Sequence, residues 1–353
     1  MKQQQKIIVI DCRMISMSGI GTYLQHIIPG IIKSKKFTVH CLGYSELANY
    51  EWADKVTVKL MKAKILSIAE QLELPFAIPK CDIFWSPNWN VPLLPIKAVS
   101  RLATIHDVYH LANAEKFSPV LIMMVKIFMK RLAIYPKLVT VSEFSKREIC
   151  RLTNVPTAKI EVIPLAPKEV QISTVRSGLA TNYILYVGNV KPHKNLRLAL
   201  EAFQRLSQEE LSFVIVGKRD GFITNDTSFG DLIKELGAKI KFTGIVDDDR
   251  LAEYYKNATL FLFPSLYEGF GLPILEAMEA NIPIIASNAA SIPEVGGELV
   301  HYFDPTDVND LLRKLRLFFD GQLKDLTGGY PMHLKNFSWQ KAINSHIKIL
   351  ETI

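Results

Sequence analysis

Short apolar, β-favouring runs recur along the chain, separated by stretches in which apolar positions return at helical spacing. In the first half, residues 7–11, 38–42, 83–86, 101–106, 138–142 and 160–164 read as buried strands. In the second half the corresponding runs are 183–187, 213–216, 240–243, 259–263 and 284–286. Strands that alternate with helical patterns predict parallel α/β sheets joined by crossover helices. Between the two sets, residues 165–182 lose apolar periodicity and read as a linker. The reading is therefore two domains, 1–169 and 170–337, which 353 residues accommodate. A last amphipathic helix runs from Ser338, a good N-cap, to Ile353.

Several strand ends carry residues suited to an anionic ligand. The run 258–263 feeds a turn, then Glu268-Gly-Phe-Gly-Leu-Pro-Ile-Leu-Glu276, with a helix predicted from Leu272 and Pro273 in its first turn. Gly269 and Gly271 let a ligand approach the backbone, and the amides of Phe270 to Leu272 lie at a helix start that suits phosphate. Glu268 is placed to reach sugar hydroxyls, and Glu276, about one turn into the helix, to accept from a ribose diol. Without context, the same pair reads as a loop carboxylate and a helix-dipole partner. The first strand likewise feeds a loop with Gly19 and Gly21. It fails as a dinucleotide fingerprint, because Leu24 stands where the third glycine belongs. His106 ends the run 101–106, the edge where α/β sheets bind ligands. His193 and Lys194 lie in the loop after 183–187. Asp247-Asp-Asp249 stands just before a helical run, where acidic residues serve as caps, so no metal is assigned to it.

The segment from Glu268 through Glu276 to Ala277-Met278 resembles the Glu-x7-Glu signature of the family 4 retaining glycosyltransferases. The stretches 283–288, 291–295, Thr104-Ile-His-Asp107 and 141–145 are similar to that family's pattern too. The resemblance implies a GT-B fold: two Rossmann-like parallel-sheet domains facing across a cleft, acceptor domain first and nucleotide-sugar donor domain second. The terminal segment 338–353 then crosses back to the first domain. It further implies that the loop with Gly19 and Gly21 lies over the donor diphosphate, and that Lys194, His193 and backbone amides stabilise the departing diphosphate. His106 orients sugar or acceptor, and the departing phosphate helps to take the acceptor proton. The loop departs from the family's pattern, with His193-Lys194 where Arg-Lys is common and Asn189 where many members carry another arginine. Family 4 enzymes resemble metal-independent catalysts, so neither metal nor cofactor is expected and the nucleotide sugar is a substrate.

Composition adds location and partners. The four cysteines are far apart, which matches neither a zinc site nor a disulfide framework and points to a reducing cytosol. No secretory signal and no spanning apolar segment is read. The net charge of +7 is uneven: residues 1–170 carry a balance of +10 and the remainder −3. A basic first half implies an anionic partner, a membrane surface or lipid pyrophosphate rather than nucleic acid, for which no motif is present. Residues 117–138 mix aliphatic positions with Lys126, Lys130, Arg131 and Lys137. They read either as a basic helix resting on an anionic bilayer or as a core crossover helix with a solvated basic edge. The second is preferred, because every crossover helix needs an apolar face.

The expected function is retaining transfer of a hexose from a nucleoside diphosphate sugar to a glycan or lipid-linked acceptor, in the cytoplasm or on the inner face of the plasma membrane. The segment Trp85-Ser-Pro-Asn-Trp-Asn-Val-Pro92 resembles bacterial mannosyl- and rhamnosyltransferases of surface-polysaccharide pathways, which favours GDP-mannose. Two alternatives stay open. A GT-B nucleotide-sugar epimerase would need further acid/base carboxylates. A non-catalytic partner subunit would tend to lose Lys194, Glu268 or Glu276, and all three are present.

Overall fold

A computed structural model describes residues 5–168, 182–218 and 227–353. Most of the expected linker, and the 169/170 boundary drawn through it, lie outside the described residues. The chain divides into two compact units, Met1–Leu165 with Ser338–Ile353, and Ala166–Phe337.

The first unit is built on a seven-stranded parallel sheet. Its strands are β1 (Lys6–Asp11), β2 (Phe37–Gly43), β3 (Thr57–Leu60), β4 (Cys81–Ser86), β5 (Ala98–Thr104), β6 (Lys137–Thr140) and β7 (Ile160–Val162), in the order β3-β2-β1-β4-β5-β6-β7. The inner strands lie between helices on both faces, which is why they read as continuous apolar runs: Ile8, Val9, Ile10, Ile83, Phe84 and Trp85 have no exposed surface. The order reverses between β1 and β4, and ligands of open α/β sheets bind beyond the carboxyl ends at such a point.

The second unit repeats the plan with β8 (Tyr183–Val187), β9 (Ser212–Val216), β10 (Ile240–Gly244), β11 (Leu260–Phe263), β12 (Ile284–Ser287) and β13 (His301–Phe303), ordered β10-β9-β8-β11-β12-β13 and parallel throughout. Its reversal lies between β8 and β11.

Two strands escape the sequence pattern, β3 and β13, and both are sheet edges. Thr57, Lys59 and Leu60 of β3 are exposed, so no apolar run marks it. The helix Trp339–Thr352, capped by Ser338 Oγ accepting from the Lys341 amide, belongs to the first unit and packs on the helix Ile20–Ser34. The closeness of these helices depends on Gly30, where a Cβ would meet Ile343 at 2.6 Å.

Candidate active site

In the second unit the β8 and β11 loops meet at the reversal point. The Leu266 amide donates to the His193 carbonyl at 2.8 Å. One residue on, Lys194 Nζ donates to Glu268 Oε1 at 2.5 Å, with side chains 18% and 13% exposed. Lys194 Nζ also lies 5.7 Å from the centroid of the Phe263 ring. By sequence these two residues have separate duties, the diphosphate and the sugar. The structure makes them one pair, because the Leu266–His193 backbone bond holds the two loops side by side; Asn195, in a left-handed conformation, follows Lys194. Asn195 is held there by its amide donating to the Pro305 carbonyl at 2.9 Å.

The Glu268–Leu272 turn is fixed from beneath. Fully buried Ser291 places Oγ 2.9 Å from the Glu268 carbonyl and 2.6 Å from the Phe270 carbonyl. Gly271 (φ 118°) precedes the helix Leu272–Glu279 in a region that a side chain would strain. Phe270 is buried edge-on against Phe337, and Gly269 is buried beside it. Glu276 is anchored inside this unit: Tyr255 Oη donates to its Oε2 at 2.8 Å. Burial pushes the Glu276 carboxyl above its ordinary range, while the Tyr255 hydroxyl and Lys168 pull the other way.

Asn189, in the place of the family's arginine, accepts from the Lys218 amide at 3.0 Å and ties β8's loop to the end of β9. Asp247 caps the helix Asp248–Asn257 through the Arg250 amide, and Asp248 pairs with Lys168 at 2.9 Å. Among the described residues no three His, Cys, Asp or Glu side chains gather as metal ligands.

In the first unit, Gly21 shapes the loop that follows β1. Its amide donates to the Met17 carbonyl at 2.7 Å, and a Cβ would lie 2.4 Å from the Ile15 carbonyl oxygen. Gly21 lets the loop fold tightly over the helix start. Gly19, at φ 51° with open space around it, forms the cap.

His106 follows β5, half-buried, with Nε2 3.1 Å from the Pro87 carbonyl. A carbonyl only accepts, so Nε2 carries the hydrogen and Nδ1 is the ring's accepting atom. Burial lowers its pKa to about 4, the Pro87 carbonyl opposing and His346 adding to the drop. Such a ring stays neutral near pH 7 and orients a hydroxyl better than it deprotonates one.

Sequence reading missed what stands behind His106. Tyr23 packs edge-on against it, ring centroids 5.0 Å apart. Tyr23 Oη lies 2.6 Å from His346 Nε2 and 2.9 Å from Thr104 Oγ1, which Trp85 Nε1 approaches at 3.1 Å. His346 Nδ1 is 2.7 Å from the Ala342 carbonyl and must be the donor there. Nε2 therefore accepts from Tyr23, Tyr23 accepts from Thr104, and Thr104 accepts from Trp85. Every hydrogen in this buried chain has one acceptor. The available signal was His346 itself, a polar residue on the apolar stripe of the last helix.

A second buried group lies at the end of β1. Arg13 forks onto Asp11 (Nε 2.8 Å, Nη2 2.6 Å), and Nη2 also reaches Glu70 Oε1 at 2.6 Å. Asn90 donates to the same Glu70 oxygen at 2.9 Å, so the loops holding Arg13 and Asn90 are tied to the helix Ile68–Ala77.

Comparison with known proteins agrees with this geometry. Residues 169–327 match the family model "Glycosyl transferases group 1". The chain is 32% identical over 290 residues to the O-antigen chain mannosyltransferase B of Escherichia coli, covering 75% of this chain and 73% of that protein. It is 27% identical over 270 residues to the serotype-specific mannosyltransferase WbdA of Escherichia coli, covering 69% of this chain but 32% of WbdA, so it spans about a third of that relative's length. Among solved structures, sucrose-phosphate synthase from Thermosynechococcus elongatus superposes with a TM-score of 0.77 at 18% identity, over 98% of each chain. HepE of Anabaena in complex with UDP-glucose does so at 0.75 and 15%, over 99% of this chain and 100% of that one. The two Rossmann-like parallel-sheet units are those of the GT-B glycosyltransferases, and the chain belongs to the group 1 glycosyl transferases.

Proposed function

We infer that the enzyme transfers mannose, with retention of configuration, from GDP-mannose to a hydroxyl of a glycan or lipid-linked glycan in surface-polysaccharide synthesis. The observation that carries the site is the Lys194–Glu268 pair, which joins the β8 and β11 loops at the reversal point of the second sheet. The donor sugar is supported by the mannosyltransferase relatives.

As the glycosidic C–O bond to the diphosphate breaks, negative charge grows on the departing oxygens. Lys194, half-withdrawn from water, turns from Glu268 to that charge, aided by the amides at Phe270–Leu272 and by His193. Glu268, released, accepts from sugar hydroxyls, and Glu276 accepts from the ribose diol. His106 orients the acceptor, whose proton passes to the departing phosphate as the new C–O bond forms. No metal enters these steps, because lysine and backbone amides carry the compensating charge.

Thermal-shift titration with GDP-, UDP- and dTDP-sugars tests the donor, since a ligand at 100 times its Kd stabilises by about 2.7 kcal/mol. GDP-mannose is expected to raise the midpoint and to yield an α-linked product by NMR. A response to UDP-sugars alone would refute the donor assignment, and a β-linked product would refute retention.

A further inference from the structure

The helix Ile68–Ala77 carries an apolar stripe on its outer side. Its two acids turn into the protein: Glu70 accepts from the Leu66 amide at 2.6 Å and pairs with Arg13, while Glu73 accepts from the Lys62 and Ala63 amides at 2.9 and 2.6 Å. Leu74 packs into the core, but the other large apolar side chains turn out. Ile68 and Phe76 are each 84% exposed and Leu72 is 57% exposed, a stripe at i, i+4 and i+8. A surface helix ordinarily keeps its outer side polar. Lys59, Lys62 and Lys64 beside it are exposed, and Lys59 Nζ reaches the Phe76 carbonyl at 3.4 Å, so charge and apolar stripe adjoin.

This stripe does not stand alone. The β3-to-β4 and β5-to-β6 connections run in the same direction across the sheet, so right-handed crossovers place Ile68–Ala77 and the helix Pro119–Leu132 on one face. The loop between β4 and β5 links them: Gln71 accepts from the Leu93 amide at 2.9 Å, and Arg131 Nε lies 3.4 Å from the Pro92 carbonyl. Pro119–Leu132 buries Ile122, Val125, Phe128, Met129 and Leu132, as a crossover helix must. Its outer side exposes Val120, Met123 and Ile127 beside exposed Lys126 and Lys130. The opposite face of the sheet carries Ile20–Ser34, which the last helix covers.

We propose that this face of the first unit docks on an anionic lipid bilayer, with Ile68, Leu72 and Phe76 entering the acyl boundary and the lysines meeting acidic headgroups. The occupant must be apolar within and anionic at its surface, which a bilayer with acidic lipids is. A second copy docked through the same face would bring lysine against lysine. The proposal deepens the lipid-linked acceptor reading of the function and rests on it only for its purpose. The docking itself is measured without turnover.

The test is co-sedimentation of the full chain with phosphatidylcholine vesicles, with and without phosphatidylglycerol, at low and high salt. The wild type is expected on anionic vesicles and to leave them as salt rises. Ile68→Gln/Leu72→Gln/Phe76→Gln, all at exposed positions, is expected to weaken partitioning by about tenfold for each side chain withdrawn from the acyl boundary. Lys59→Gln/Lys62→Gln/Lys64→Gln and Lys126→Glu/Lys130→Glu are each expected to lose about fivefold or more per lysine. All three variants should keep GDP-mannose binding and transfer to a soluble acceptor. Equal binding to neutral and anionic vesicles, or an apolar triple variant that binds like wild type, would overturn the proposal. So would a salt-resistant dimer in light scattering that the apolar triple variant dissolves. Vesicle binding that persists while no sugar nucleotide binds would instead count against the catalytic reading and leave the docking face standing.

Discussion

His346 offers a direct test of the buried chain behind His106. It has no exposed surface, and burial lowers its pKa to about 4, only partly offset by the Ala342 carbonyl. Its folded pKa therefore lies below the ordinary value of about 6.5, so as pH falls the unfolded chain takes up the proton first. The stability contributed by the neutral ring is complete above about pH 6.5 and is lost between there and about pH 4. By about pH 5 the loss is some one and a half pKa intervals, about 2 kcal/mol. His106, also near 4, adds a similar loss over the same window. His346→Gln keeps an acceptor for the Tyr23 hydroxyl and cannot titrate. Urea unfolding at about pH 7.5 and pH 5, followed by the fluorescence of Trp85, whose ring lies 5.5 Å from His346, reads the difference. The variant is expected to lose about 2 kcal/mol less than wild type on acidification. Tyr23→Phe, which strands the Thr104 hydroxyl and His346 Nε2, is expected to cost about 1–3 kcal/mol at either pH. Equal acid losses in wild type and His346→Gln would show that the ring is not held neutral, and the hydrogen-bond chain drawn through it would fall.

The remaining predictions concern catalysis. Lys194→Ala is expected to lower turnover by about 10²–10³-fold, the scale for one charge-stabilising donor, with product release followed at saturating donor. Because the same change leaves Glu268 half-buried without its partner, Lys194→Met/Glu268→Gln should be more stable than Lys194→Met alone while remaining as inactive, read by thermal melts. Glu276→Ala should weaken binding of free GDP in calorimetry more than it slows the chemical step, whereas Glu268→Ala should do the reverse. Since the Glu276 carboxyl titrates above its ordinary range, nucleotide affinity should fall as pH drops through that raised value, a trend that Glu276→Gln abolishes. Activity should survive excess EDTA; a loss that manganese restores would make Asp247 and its neighbours candidate ligands after all.

Much of this molecule is written locally. A central strand of a parallel sheet is buried on both faces, so β1, β4, β8 and β11 appear as unbroken apolar runs, and the caps Asp247 and Ser338 are legible from the helical patterns that follow them. The strand-end positions of His106, Lys194 and Glu268 follow from the same runs. β3 lacks that signature because three of its four residues are exposed, and β13 because it is only three residues long with a single buried position. What tertiary structure alone decided is pairing at a distance. Nothing local joins Lys194 to Glu268, 74 residues apart, or Tyr23 to His346, 323 apart. That position 21 has no room for a side chain, because the Ile15 carbonyl stands there, is likewise visible only in the fold. The helix Ile68–Ala77 shows the reason most plainly. Spacing alone says which residues share a face; which face is buried depends on the partners waiting there, here Arg13 and the amides of the 62–66 loop, which draw Glu70 and Glu73 inward and leave Ile68, Leu72 and Phe76 outside.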